Sequence, residues 1–280
     1  MNWGKILRIL NIIILTVSLA ACTATAPNYE NRPLNSGSDI SAEMTSKNLY
    51  NMAQSLYDRR DYMGAYNLYG RAFIGADGDT ALQNDIEIGR ANCLLRLDRV
   101  EDALLSFNAL NERGLSTLEV QVGMVESHLR LGNIAQARVQ LLSLQQDGQA
   151  SVHIYTLQGI LYDLDLKHEL ARLSYESAME LDADISTSIT NLALSYALTE
   201  DFETSQALLN SIETSEDTKA LLYALEGKLD KAEELITRAF FRRGLGATAV
   251  AQNMRYYEKL AELSASDRAK AVLLGIVDEN

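Results

Sequence analysis

A step of 34 residues runs through the middle of this chain and limits its fold more than any other feature. Ala103, Ala137, Ala171 and Ser205 stand one step apart. Around Ala171 lie Gly159, Tyr162, Tyr175 and Ala178; around Ala103 lie Ala91, Leu94 and Phe107; around Ser205 lie Leu192, Ala193, Tyr196 and Phe202; and Gly132 precedes Ala137. A unit of this length cannot bury an apolar face alone, so successive units must stack. The only prolines are Pro27 and Pro33, so nothing after residue 33 removes a backbone donor from a helix. Leu, Ala, Glu and Gln are abundant, which favours helices throughout. The expectation is an all-α chain.

The order small residue, aromatic, alanine, aromatic, alanine resembles the tetratricopeptide (TPR) repeat, a helix-turn-helix unit. Its small residues let two helices approach closely while Tyr155, Tyr162 and Tyr175 fill the gap. A front repeat with Ala53, Leu56, Tyr62, Ala65, Tyr69 and Ala72 lies 38 residues before the second, its extra length falling in the loop 75–79. A last repeat with Ala220, Tyr223, Gly227, Ala232 and Ala239 follows the fifth after only 27 residues, which shortens its neighbouring helices. About six repeats result, in a solenoid over 45–246. Residues 247–280 are read as C-terminal capping helices, about 247–263 and 266–274, and a tail, because an end repeat needs cover.

The first 21 residues, MNWGKILRILNIIILTVSLAA, carry Lys5 and Arg8, then a mostly apolar run from Ile9 to Val17, then small residues. That is the order of a secretory signal peptide. Ile9 to Ala21 is too short for a transmembrane helix, which needs about 20 apolar residues. Leu19-Ala20-Ala21-Cys22 is similar to a bacterial lipobox. That resemblance implies cleavage before Cys22, a covalent diacylglyceryl group on its thiol and an N-acyl chain on its amine. Acyl chains contribute about 0.8 kcal/mol per buried methylene, so two or three anchor stably. Thr23 stands where an Asp retains enterobacterial lipoproteins in the inner membrane, which implies the periplasmic face of the outer membrane. Residues 22–44 then form the lipidated N-terminus and a linker rich in Thr, Asn, Ser, Pro and Gly.

Chemistry is sparse. His128, His153 and His168 have no metal-binding frame, and Cys93 reads as a small buried thiol. Asp77-Gly78-Asp79 and Asp182-Ala183-Asp184 lack the remaining ligands of a calcium loop and suit helix N-caps. Arg242-Arg243 suits a helix C-terminus. No phosphate loop or nucleophile elbow occurs, and no enzymatic activity, cofactor, metal or small-molecule substrate is expected. The net charge is −13, and near −15 without Lys5 and Arg8, which disfavours nucleic acid and anionic lipid.

Binding remains. In TPR arrays the first helix of each pair lines the concave face, and spacing places Tyr50, Gln54 and Tyr57 there. Ile88, Asn92 and Arg96 follow, then Val122, Glu126 and Arg130, then Thr156, Ile160 and Asp163, then Thr190 and Leu194. Such a groove suits a peptide or helix.

Three back segments sharpen the resemblance: Asn191-Leu-Ala-Leu-Ser-Tyr-Ala-Leu198, the shortened Tyr223-Ala-Leu-Glu-Gly227 repeat, and Val250-Ala-Gln-Asn-Met-Arg-Tyr-Tyr-Glu-Lys-Leu260. With the lipobox and repeats, these make the chain resemble the TadD-like lipoproteins of the tight adherence (Flp pilus) assembly system. The resemblance implies an outer-membrane, pilotin-like assembly factor that binds the secretin subunit of the pilus machine. Alternatives are an assembly lipoprotein of another envelope machine (type IV pilus or outer-membrane protein insertion) and a scaffold for cell-wall enzymes.

Overall fold

A computed structural model describes residues 46–76, 78–181 and 185–274. The signal peptide, Cys22, the linker to residue 44, Asp77, residues 182–184 and residues 275–280 lie outside the described residues.

Among the described residues the chain forms helices joined by short turns. Six antiparallel pairs come first: α1 (Ser46–Asp58) with α2 (Tyr62–Gly75), α3 (Thr80–Arg96) with α4 (Val100–Glu112), and α5 (Leu118–Arg130) with α6 (Ile134–Gln146). Then follow α7 (Val152–Leu164) with α8 (His168–Met179), α9 (Ser186–Leu198) with α10 (Phe202–Asn210), and α11 (Glu216–Leu225) with α12 (Leu229–Arg242). Two more helices, α13 (Ala247–Leu260) and α14 (Ala265–Leu274), close the chain. The shortening expected near the last repeat falls on α10, nine residues, and α11, ten.

Each pair turns on one residue with positive φ: Arg60, Asp98, Gly132, Leu166, Glu200 and Gly227. Their steps of 38, 34, 34, 34 and 27 are those of the sequence repeat. In every case the next residue's N–H returns to a carbonyl five residues back, as in Asp61 to Leu56, Lys167 to Tyr162 and Lys228 to Tyr223. This is the Schellman closure, which consumes carbonyls that the helix end leaves unpaired. Helix starts are closed too: Asp61, Asp79, Thr117, Ser151, Asp201 and Ser215 each accept from a backbone N–H three residues on.

The repeat alanines set the helix spacing. Ala65, Ala103, Ala137, Ala171, Ser205 and Ala232 expose no surface. Glycines do the same where an aromatic ring crosses. A Cβ on Gly159 would lie 2.3 Å from the Tyr175 ring, and one on Gly123 2.4 Å from Phe107. Tyr175 fills the gap as expected, while Tyr155 and Tyr162 are half-buried at its edge.

Each pair also packs on the next. First helices lie beside first helices from α1 through α11, and each second helix packs on the following first helix. The first helices therefore make one continuous face. On the second helices, Leu105, Val139 and Leu173 repeat at 34-residue intervals as an exposed apolar row, 67%, 69% and 58% exposed.

The C-terminal helices divide their work. α13 covers α11 and α12, as a cap should. α14 was expected to cap as well, but it turns back and lies against α7 and α9. Its Ala269, Ala271, Val272, Leu273 and Leu274 join one apolar cluster with Ile160, Leu164 and Leu194. The Tyr256 hydroxyl of α13 fixes the return by donating to the Ala271 carbonyl at 2.8 Å.

Candidate functional site

The face made by the first helices has two halves of opposite character. Along α1, α3 and α5 it is open. A cavity of about 320 Å³ there is lined by Tyr50, Gln54, Tyr57 and Asp58 of α1, Tyr69 of α2, Asp85, Ile88, Gly89 and Asn92 of α3, and Glu119 of α5. Five of the residues that the sequence places on the concave face, Tyr50, Gln54, Tyr57, Ile88 and Asn92, thus share one site.

Local packing presents these groups. Gly89 leaves room for the Tyr69 ring, since a Cβ there would sit 2.6 Å from it. Tyr50 and Tyr69 meet with ring centroids 5.7 Å apart. The Gln54 amide donates to the Tyr50 hydroxyl at 2.8 Å, and the Asn92 amide to Glu119 Oε1 at 2.6 Å. Burial first, then the nearby Asp85 and Glu119 carboxylates, hold the Tyr50 hydroxyl above its usual range. Burial likewise raises Tyr69, with Asp58 among the smaller contributors. Cys93, beneath this site, is fully buried, and burial pushes its thiol up to about 12, so it is a packing group rather than a nucleophile.

Arg96, Glu126 and Arg130 form a network behind the cavity. Arg96 donates through Nε to the Tyr57 hydroxyl at 3.3 Å and through Nη1 to Glu126 Oε1 at 3.1 Å. Burial alone would ease its proton off; Glu126 and Tyr57 outweigh that and raise its pKa. Arg130 donates to the Leu95 carbonyl at 2.6 Å and to Asp98 at 3.1 Å, which fastens the turn of the preceding pair. Burial dominates at Arg130 and lowers its pKa against the pull of Glu126 and Asp98. Glu126 and Arg130 thus join neighbouring repeats, and little of either reaches the surface.

Further back the face is closed. Val122 of α5 is already buried, in an apolar cluster with Val125 and Leu157. Thr156, Ile160 and Asp163 of α7 and Thr190 and Leu194 of α9 are buried too, and for these two helices the physical reason is α14, which lies over them. Asp163 is the polar centre of this half: it accepts from Ser195 Oγ at 2.7 Å and from the Tyr175 hydroxyl at 3.0 Å, with His168 Nδ1 at 2.8 Å. Three helices, α7, α8 and α9, are tied at one carboxylate. The 34-residue step puts Asp163 in register with Leu95, Leu129 and Ala197, all buried, so it marks a core position rather than a groove position; it gives no sign of which groups meet the carboxylate there.

Other sequence features take structural positions. Asp79 caps α3, His153 is exposed at the start of α7, and Arg242 and Arg243 pair with Glu216 and Asp217 of α11. The arginines end α12, as their sequence position suggests, and also bind it to α11. Asn191 lies in α9 and Tyr256 and Tyr257 in α13, all buried. Among the described residues no group of three or more His, Cys, Asp or Glu is placed to hold a metal ion. No helix there is long and apolar enough to cross a membrane.

The steps, the turns and the stacked pairs define a TPR-type helical solenoid. No protein-family model matches the sequence, and no curated protein matches it. Solved structures similar to it include a tetratricopeptide repeat protein from Parabacteroides merdae, with 15% identity over 81% of this chain and 90% of that one, at a TM-score of 0.48. Another is a thermophilic TPR protein from Thermus thermophilus, with 18% identity over 77% of this chain and 100% of that one, at a TM-score of 0.47.

Proposed function

We propose that this protein is a lipid-anchored scaffold of the bacterial envelope, which captures a segment of a protein partner on the open half of its concave face. The observation that carries the reading is the contrast between the two halves. The back half is filled by α14, whereas the front half keeps a cavity lined by tyrosines and polar groups. Aromatic rings with a polar tip are favoured at protein interfaces because they bury area at little entropic cost.

The finer reading rests on the lipobox and on the resemblance to tight-adherence lipoproteins. Acylated Cys22 holds the chain at the periplasmic face of the outer membrane, residues 23–44 give reach, and the partner is the secretin subunit of a pilus machine. Tethering both proteins to one surface raises their effective concentration, so modest affinity suffices.

Two measurements test this. Cys22→Ala should abolish acylation and release the protein from membranes or leave it held by an uncut leader; unchanged acylation and processing would refute the anchor. Affinity capture of the full chain from crosslinked cells, with partners identified by mass, should return the secretin; its absence from a lipidated, expressed protein would refute the pilotin role.

A further inference from the structure

The open cavity has a charge that the partner must match. Three carboxylates stand around it: Asp58 at the end of α1, Asp85 on α3 and Glu119 at the start of α5. All three are exposed. Asp58 and Asp85 make no ion pair among the described residues. Glu119 accepts from the neutral Asn92 amide, which leaves its charge uncompensated.

The nearby cations do not neutralise it. Arg96 is spent on Glu126 and Tyr57. Lys47 lies outside the lining, its ammonium 4.8 Å from the Tyr50 ring centroid. Both instead show what this face does with a cation. One guanidinium is held between a tyrosine hydroxyl and a carboxylate, and one ammonium rests on a tyrosine ring. The cavity offers the same two kinds of group again, the partly exposed Tyr50 and Tyr57 side chains and a carboxylate rim, with the buried Tyr69 ring behind them. A cation over an aromatic face, with a carboxylate beyond it, is attracted by both.

We infer that this cavity receives a lysine or arginine side chain from the partner segment, which runs across α1, α3 and α5. The inference deepens the scaffold reading and rests on it. The occupant is a basic segment of a protein: nucleic acid and acidic peptides carry the wrong charge for this rim. Neighbouring helices lie about 8–10 Å apart, so the open face is on the order of 20 Å wide. An extended segment of about six residues spans it.

The test uses the full chain in detergent with 13C-labelled tyrosine, titrated with Nα-acetyl-arginine N-methylamide and, in parallel, with its neutral citrulline counterpart. Saturable shifts confined to Tyr50, Tyr57 and Tyr69 with the arginine probe, and at least tenfold weaker binding of citrulline, are expected. Asp58→Asn, Asp85→Asn and the double variant should weaken arginine binding at least tenfold in the double. Glu203→Gln with Glu258→Gln, which removes the same charge from exposed sites elsewhere, should leave it unchanged. Equal binding of the two probes, no saturable shift at these tyrosines, or undiminished binding in the double variant overturns the inference. Any of those results with the secretin still captured in cells leaves the scaffold reading standing. Intact arginine binding without secretin capture refutes the pilotin role alone.

Discussion

At the scale of single residues, the repeats are held by what is small. Gly159 sits inside α7 with the Tyr175 ring against it, so any Cβ must push the ring or the helix aside. Gly70, inside α2, has nothing within 4 Å of where its Cβ would be. The two substitutions should therefore act in opposite directions. Gly70→Ala removes a helix-disfavouring residue and should stabilise by about 0.5–1 kcal/mol. Gly159→Ala should destabilise by about 1–3 kcal/mol, because overpacking exceeds the gain in helix propensity. Urea unfolding with an unchanged slope checks both; a stabilised Gly159→Ala would mean the ring contact is not restrictive. Gly159 was readable as a small position from the repeat, in step with Ala91 and Ala193 although Val125 departs from it; Gly70 carried no such signal. The role of Asp163 was not readable: the step places it with the buried Leu95, Leu129 and Ala197, but a periodic pattern cannot say that a carboxylate there will be met by Ser195, Tyr175 and His168 from two other helices.

At the scale of helices, the pairs and their order follow from local signals. Small residues in step and one side-chain N-cap mark every pair, glycine marks the turns at Gly132 and Gly227, and α13 spans nearly the expected residues. What the sequence misplaced was α14, read as a second end cap and found against α7 and α9. Its end, Ala269 and Ala271 to Leu274, is apolar almost all round, more than cover for an exposed end requires, yet its target was decided by tertiary packing on α7 and α9. Its placement is also why Thr156 and Ile160 are buried while Tyr50 and Tyr57 are accessible. Val272→Asp should test this division. A buried, unpaired carboxylate is costly, so α14 should detach and its amides lose hydrogen-exchange protection. Solenoid repeats communicate mainly with their neighbours, so protection in α1 to α3 should stay intact. Loss of protection across the whole chain would show a single cooperative unit instead.

At the scale of the whole molecule, the proposed function joins an acylated Cys22 and a linker to a half-open groove. Two surfaces compete for the partner. One is the cavity on α1, α3 and α5; the other is the exposed row Leu105, Val139 and Leu173 on the second helices. The row is apolar and exposed, whereas the cavity is a recess with polar groups that can orient a partner. A photo-crosslinking residue placed singly at Asn92 and at Val139 of the full chain in cells separates them directly. The account predicts one partner adduct from Asn92 and none of the same mass from Val139. An adduct from Val139 with none from Asn92 would contradict it and move the binding surface to the opposite side of the solenoid.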